Sequence, residues 1–115
     1  MFELSYKNLI VWHKALELTK QVYILSDKLP GSEIYILKSQ IRRAAISVIS
    51  NISEGSARKS TADRKRFYEI ARSSAIEIDS QIEASIALNF FSAEDSVSAK
   101  SILTEVFKIL SKMMI

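Results

Sequence analysis

Residues Ser39–Ser60 read SQIRRAAISVISNISEGSARKS, and this stretch decides the fold. Apolar residues recur every three or four positions through it and the segment before it, a spacing that places them along one side of an α-helix. They are Ile34, Leu37, Ile41, Ala45, Val48 and Ile52. A polar stripe with the same spacing comprises Gln40, Arg43, Ser47, Asn51 and Glu54. The apolar stripe predicts burial in a core, whereas the polar stripe is left for solvent, a neighbouring subunit or a ligand.

Similar spacing outside this stretch predicts an all-α chain. We expect an extended or poorly ordered start over residues 1–7 and helices at about 9–28, 33–54, 61–88 and 93–113. The predicted N-caps are Asn8, Ser32, Ser60 and Ser92. Gly55 is expected to end the second helix in a left-handed conformation. Since two glycines and one proline leave room for few loops, residues 1–115 are predicted to form a single domain, an up-down-up-down antiparallel four-helix bundle.

Composition limits the compartment and the chemistry. The 115-residue chain has no cysteine, which excludes disulfides and thiolate chemistry. The start at Met1–Glu3 has no basic stretch followed by an apolar run, so no secretion signal is expected. No apolar run approaches the roughly 18 residues of a membrane-spanning helix. We therefore expect a cytoplasmic protein without a membrane partner.

Positive charge is concentrated in the middle of the chain. The segment from Lys38 to Arg72 holds nine basic and three acidic residues, a local charge of +6, whereas the remaining residues sum to −3. Such a region attracts phosphates, and the predicted nucleic-acid-binding residues are Arg42, Arg43, Arg58, Lys59, Arg64, Lys65, Arg66 and Arg72. No aromatic residue is interleaved with these basic residues to stack on bases. We therefore expect binding through phosphates, with little preference for base sequence. The alternative is a solvated helix end.

A second set of residues predicts contacts between subunits. Ile36 and Ile46 fall away from the apolar stripe, so they are either exposed or covered by another copy of the chain. Arg43, Asn51 and Glu54 are predicted to form a hydrogen-bonded network against the next chain, with ligand binding as the alternative. These five residues are the expected oligomer interface. An ion pair between Glu54 and Arg58 is not expected, because Gly55 lies between them.

Nothing in the sequence predicts an enzyme or a cofactor. His13 is the only histidine, which makes neither a metal site nor a catalytic relay, and Glu77, Asp79 and Glu83 are spread around one helix. We therefore expect no catalytic residue, no metal and no cofactor. Three functions stay open in decreasing order: a nucleic-acid-binding oligomer, a structural adaptor for a protein partner, and an enzyme.

Five segments together resemble a known bacterial family. They are YKNLIVWHKALEL from Tyr6, Leu29-Pro30, SQIRRAAISV from Ser39, NISEGSARKS from Asn51 and ARSSAIEI from Ala71. The resemblance covers Tyr6 to Asn89. It is to the four-helix-bundle proteins first noticed in intervening sequences of large-subunit rRNA genes, and to the similar accessory variability determinant protein of diversity-generating retroelements. It implies an all-α bundle in a homopentameric ring. In the retroelement branch, a basic ring engages RNA or DNA and a reverse transcriptase.

The chain departs from the family pattern in its second helix. Ile36 stands where a glycine is usual and Ile49 where a proline is usual. Both changes remove helix breakers, so we expect this helix to be at least as regular as in the family. Ser53 and Ser73 replace an alanine and a glycine. The residues that match the pattern include Arg42, Arg43, Asn51, Glu54, Gly55, Arg58 and Arg72.

Overall fold

Four α-helices make up most of the chain in a computed structural model that describes residues 4–115. They are α1 at Ile10–Ser26, α2 at Ser39–Ser56, α3 at Thr61–Ala87 and α4 at Val97–Met113. No strand occurs within residues 4–115, which confirms the all-α prediction. Residues 1–3 lie outside the described residues. They include part of the predicted start and the segment in which no secretion signal was expected. Leu4 is extended as predicted, but the prediction is wrong from Ser5 on, because Ser5–Asn8 form a 3-10 turn.

Cross-helix contacts show that sequential helices run in opposite directions. The Ser47 and Ser74 hydroxyls are 2.8 Å apart between α2 and α3, and further along α2 the backbone at Gly55 meets Tyr68. The same reversal relates α1 to α4 through the ion pairs Lys14–Glu105 and Lys28–Asp95. It also relates α3 to α4 through Asp79–Lys100 and the stacking of Arg72 on Phe107. Each contact pairs an earlier residue of one helix with a later residue of its neighbour, as the predicted up-down order requires.

One continuous hydrophobic core lies between the helices. Ile41, Ala45, Val48 and Ile52 of the predicted apolar stripe are buried there, and Leu37 packs against it. Ile34 is the exception, because it lies in the irregular turn before α2 and is 47% exposed. Apolar residues from α1, α3 and α4 complete the core, among them Leu18, Ile78, Ile82, Val106 and Leu110.

Of the four predicted caps, only Ser60 caps an α-helix. The Ser60 hydroxyl accepts a hydrogen bond from the Asp63 N–H at 3.0 Å, so α3 begins as predicted. Ser92 and Asp95 form reciprocal hydrogen bonds, but they belong to the 3-10 turn at Glu94–Ser96, and the residue before α4 is Ser96, which makes no side-chain cap bond. The residue before α1 is Leu9 rather than Asn8, and its side chain makes no cap bond.

The start of the second helix differs most from the prediction. A 3-10 turn at Gly31–Glu33 leads into a π-helical turn at Ile34–Lys38, so Ser32 caps no α-helix. The expected regularity is therefore wrong at Ile36, which lies in the π-helical turn. This turn leaves three consecutive apolar side chains exposed, with Tyr35 at 91%. Such turns are uncommon and occur frequently at functional sites.

Gly55 does not end α2 in a left-handed conformation. The helix continues to Ser56, and Gly55 is buried with a negative φ. A Cβ at this position would lie 2.6 Å from Cε1 of Tyr68 and 3.2 Å from Cβ of Phe67. Glycine is therefore needed because the backbone of α2 touches the first turns of α3. This contact fixes the corner where the basic residues meet.

Candidate nucleic-acid interface

An arginine–phenylalanine–arginine cluster lies where α2 ends and α3 begins. The guanidinium carbon of Arg58 is 4.7 Å from the centre of the Phe67 ring, and that of Arg66 is 4.8 Å from it. Both distances are within the range of cation–π attraction, so one half-buried ring holds two exposed cations together. We call Arg58, Lys59, Arg64, Lys65, Arg66 and Phe67 the α2–α3 corner.

Arg64 shapes the corner by closing the turn. Its Nη1 donates to the backbone carbonyl oxygens of Arg58 at 3.0 Å and Lys59 at 2.8 Å. Carbonyls just past a helix end have no partner within the helix, so a guanidinium is a good cap for them. Its Nη2 also reaches the hydroxyl of Thr61 at 3.2 Å. Arg64 therefore positions the turn, whereas Lys59 and Arg66 remain exposed with no ion pair among residues 4–115.

The floor of the corner is Tyr68. Its side chain is buried beneath the end of α2, against the Gly55 backbone. Burial raises the pKa of the Tyr68 phenol above 10.0, and the positive charge of Arg64 acts in the opposite direction. The phenol therefore stays neutral across physiological pH, and the charge of the corner comes from its arginines and lysines.

Acidic residues lower the charge of the corner. Glu54 Oε2 lies 3.0 Å from Nη2 of Arg58, so the ion pair judged improbable from the sequence is present. It forms because α2 remains helical through Gly55, which keeps positions 54 and 58 one turn apart. The Arg58 and Glu54 side chains are about half exposed, and an exposed pair of this kind is worth about 0.5 kcal/mol. A phosphate can compete with it.

Three of the eight predicted nucleic-acid-binding residues lie away from this corner. Arg42 is held by α1, because its Nε donates to Ser26 and its Nη2 to Asp27, both at 2.8 Å. Arg72 stacks on Phe107 of α4, with 4.5 Å between its guanidinium carbon and the ring centre. Arg43 is exposed, but it precedes Arg58 by 15 residues, about 22 Å of helix.

Within one chain, the polar residues predicted at an oligomer interface make separate contacts, and their network with a next chain stays a prediction. The Asn51 amide donates to the Ser47 carbonyl at 2.8 Å, and Ser47 in turn meets Ser74 of α3. Asn51 thus supports the α2–α3 contact within one chain, while Glu54 is paired with Arg58. Arg43 has no hydrogen bond or ion pair to another of residues 4–115 through its side chain.

The two isoleucines of the predicted interface are exposed. Ile36 is 59% and Ile46 43% exposed in the single chain, so both are available to a second copy. Whether a copy covers them stays a prediction.

Phe67 is the member of the corner that the charge pattern missed. The prediction counted cations and found no aromatic among them, although Phe67 directly follows the basic run Arg64–Arg66. An aromatic residue that directly follows a basic run in the first turns of a helix lies close to those cations, so this sequence feature could have indicated the cluster. A guanidinium stacked on a ring keeps its outer face free for a base, so binding through phosphates alone no longer follows.

The comparisons with known proteins agree with this architecture. Residues 7–112 match the 23S rRNA-intervening sequence protein family. The chain belongs to this family. A solved structure similar to this 23S rRNA-intervening sequence protein is that of a protein of unknown function from the S23 ribosomal protein family of Bacteroides thetaiotaomicron. The two share 26% sequence identity over 91% of this chain and 98% of that chain, with a TM-score of 0.83. Curated protein sequences gave no match.

Neither a cluster of metal ligands nor a membrane-spanning helix occurs among the residues that the structure describes. Over residues 4–115, no three histidine or carboxylate side chains cluster as metal ligands. Within the same residues, no helix has the length and apolar character needed to cross a membrane. Of the acids Glu77, Asp79 and Glu83, which were predicted to be spread around one helix, two are bound by Lys100, whose Nζ lies 2.7 Å from Asp79.

Proposed function

We propose that this protein is a non-enzymatic nucleic-acid-binding protein whose binding surface is the α2–α3 corner. The observation that carries the proposal is the stacking of Arg58 and Arg66 on one Phe67 ring. A guanidinium held against a ring loses less side-chain freedom on binding than a freely moving one. Lys59 and Lys65 flank the pair in sequence and add charge for a polyanion.

The ligand is RNA or DNA bound chiefly through its phosphates. Four cations on one corner favour a polyanion over a single small anion, because each cation can neutralise a different phosphate. The outer faces of the two stacked guanidiniums favour unpaired bases, which can stack on them. The expected sequence preference is therefore small.

Assembly into a homo-oligomer would bring several copies of the α2–α3 corner together. We propose a homo-oligomer, with a pentamer as the number implied by the family resemblance, in which Ile36 and Ile46 lie between copies. Both side chains are exposed in the single chain, and apolar area of this kind is costly to leave in water. Each added copy brings a further set of corner cations to the same strand, which raises the effective concentration of the second binding event.

The test is binding of labelled single-stranded RNA and DNA to a charge-removed variant. Replacing Arg58, Lys59, Lys65 and Arg66 by alanine is expected to weaken binding strongly while the helical circular dichroism signal stays unchanged, because these side chains lie outside the core. The matched control removes the same charge elsewhere, from Lys7, Lys20, Lys108 and Lys112, which are all exposed and form no ion pair among residues 4–115. Equal weakening in both variants would leave net charge, rather than the corner, as the cause.

A second candidate function is an adaptor for a protein partner, such as the reverse transcriptase that the family resemblance implies. The observation that favours it is the π-helical turn at Ile34–Lys38, where Ile34, Tyr35 and Ile36 are all exposed. Large exposed aromatic and aliphatic side chains are typical anchors of protein interfaces. Retention of the reverse transcriptase by the wild-type protein and its loss in a Tyr35→Ser variant with normal helix content would favour this function.

A further inference from the structure

A groove between α3 and α4 lies apart from the α2–α3 corner and has the character of a small-molecule site. Its volume is about 370 Å³, within the range of ligand pockets. The floor is apolar and is formed by Ala75 and Leu103, which are buried, and by Ile76 and Phe107. Ile76 is 52% exposed, so the groove opens to solvent along α3.

One end of the groove carries two cations without a carboxylate partner. Lys108 lines this end, and Arg72 borders it by stacking on Phe107 one helical turn before Ile76. No ion pair within 4.0 Å forms between either cation and a carboxylate of residues 4–115. The Nε of Arg72 is buried and has no hydrogen-bond partner in that part of the chain. The two Nη nitrogens of Arg72 also form no hydrogen bond to another of residues 4–115 and, unlike Nε, they are not buried, so they are the donors that an oxyanion at this end can reach.

The other polar groups of the groove are already used. Asp79 accepts from Nζ of Lys100 at 2.7 Å, so a cationic ligand would have to displace that lysine. The Thr104 hydroxyl donates to the Lys100 carbonyl at 2.9 Å. The free donors therefore all belong to the cationic end. This charge pattern selects an anionic head group and disfavours an ammonium one.

The geometry points to a binding site for an amphipathic carboxylate, a small molecule with an apolar chain or ring and one carboxylate. The apolar part lies on Ala75, Ile76 and Leu103. The carboxylate lies between Arg72 and Lys108, where a guanidinium offers paired donors. This site is independent of the proposed nucleic-acid binding, since it lies further along α3, toward α4, and shares no residue with the α2–α3 corner.

The experiment is a titration of the full chain, labelled at isoleucine and leucine methyls, with the straight-chain carboxylates from hexanoate to dodecanoate below their micelle concentrations. We expect saturable shifts of the Ile76 and Leu103 methyl signals. The alkanol and the alkylammonium of the same chain length should bind at least about tenfold more weakly, because the alkanol carries no negative charge and the ammonium has no acceptor for a hydrogen bond.

Variants test each half of the site. Replacing Arg72 and Lys108 together by glutamine should remove the tenfold preference for carboxylate over alkanol, whereas Lys20→Gln, an exposed lysine on α1, should keep it. Thr104→Phe fills the groove from the surface and should abolish binding of all three head groups, whereas Thr104→Ala should not. Circular dichroism of each variant confirms that it is folded.

Several results would overturn the site. They are the absence of saturable shifts at Ile76 and Leu103, equal affinity for the three head groups, and an unchanged carboxylate preference after loss of both cations. Shifts of the same methyls on dilution of the protein without ligand would also overturn it, because a second copy of the chain would then occupy the groove.

Discussion

The backbone of Gly55 lies so close to Tyr68 that a methyl group in place of the glycine hydrogen would be 2.6 Å from the ring atom Cε1. Both residues are buried, so neither can move aside into solvent. The contact joins the last turn of α2 to the first turns of α3, and the arginines stacked on Phe67 lie directly above it. The geometry of the candidate interface therefore depends on a glycine in a helix, where glycine is otherwise unfavourable.

Replacing Gly55 by alanine should destabilise the protein by about 1–3 kcal/mol, the usual cost of overpacking a close contact. The measurement is the free energy of unfolding in urea. Gly31→Ala is the matched control, since a Cβ there meets nothing within 4 Å and the substitution should be neutral or slightly stabilising. Equal stability of the Gly55→Ala and wild-type proteins would show that α2 and α3 separate easily at this point.

Ser60 is expected to contribute about 1 kcal/mol as the cap of α3. Its hydroxyl accepts from the Asp63 N–H, which otherwise has no partner in the first turn. Ser60→Ala should therefore lower the free energy of unfolding, as measured by chemical denaturation. Ser80→Ala, at an exposed position inside the same helix, should leave stability unchanged or raise it slightly, because alanine has the higher helix propensity. Identical effects of the two substitutions would argue against the cap.

The cap before α4 should respond to pH. The Ser92 backbone N–H donates to Oδ2 of Asp95 at 3.0 Å and is the main reason that the pKa of Asp95 lies below its ordinary value of 3.8, and the Ser92 side chain acts in the same direction. Because the folded-state pKa is the lower one, the cap stabilises the protein fully above pH 3.8, and this stabilisation is lost as the pH falls through the folded-state value. Ser92→Ala should move the pKa of Asp95 back toward 3.8 in an NMR titration of its carboxyl group. An unchanged titration would mean that the hydroxyl is not bonded to Asp95 in solution.

Ile46→Glu tests the proposed assembly. If Ile46 lies between copies, a charge there would be buried without a partner and should dissociate the oligomer while the helix content stays unchanged. Light scattering at micromolar concentration measures the change in mass. Leu88→Glu is the control, since Leu88 is 57% exposed at the far end of α3 and should not affect assembly. A wild-type mass of 13 kDa would contradict the proposal before any substitution is made.

The features predicted correctly from the sequence are those that depend on neighbouring residues. The cap at Ser60 involves a residue three positions away, and helical periodicity alone identified Ile41, Val48 and Ile52 as core. Such signals are local, so tertiary contacts rarely change them. The same periodicity predicted four helices, which the structure contains, and the match over residues 7–112 confirms the family resemblance.

The features that were missed depend on contacts between distant residues. In the sequence, Gly55 has the form of a helix terminator. Only the structure shows that Tyr68, thirteen residues later, lies against it. Arg42 and Arg64 have the same charge as Lys59, yet carbonyl and hydroxyl groups from other elements hold their side chains. A count of basic residues weighs all of these equally, because charge is visible in the sequence and the partner of a charge is not.

The salt dependence of nucleic-acid binding tests the central claim most directly. The measurement is the dissociation constant of the wild-type protein and of the variant lacking Arg58, Lys59, Lys65 and Arg66 for single-stranded RNA and DNA of several sequences, over salt from about 50 to 200 mM. We predict a linear fall of log K with log salt, with each phosphate contact adding about −0.7 to −0.9 to the slope, the same slope for different base sequences, and loss of binding in the variant. Absence of binding by the wild-type oligomer at about 50 mM salt, or an unchanged slope in the variant, would contradict the account.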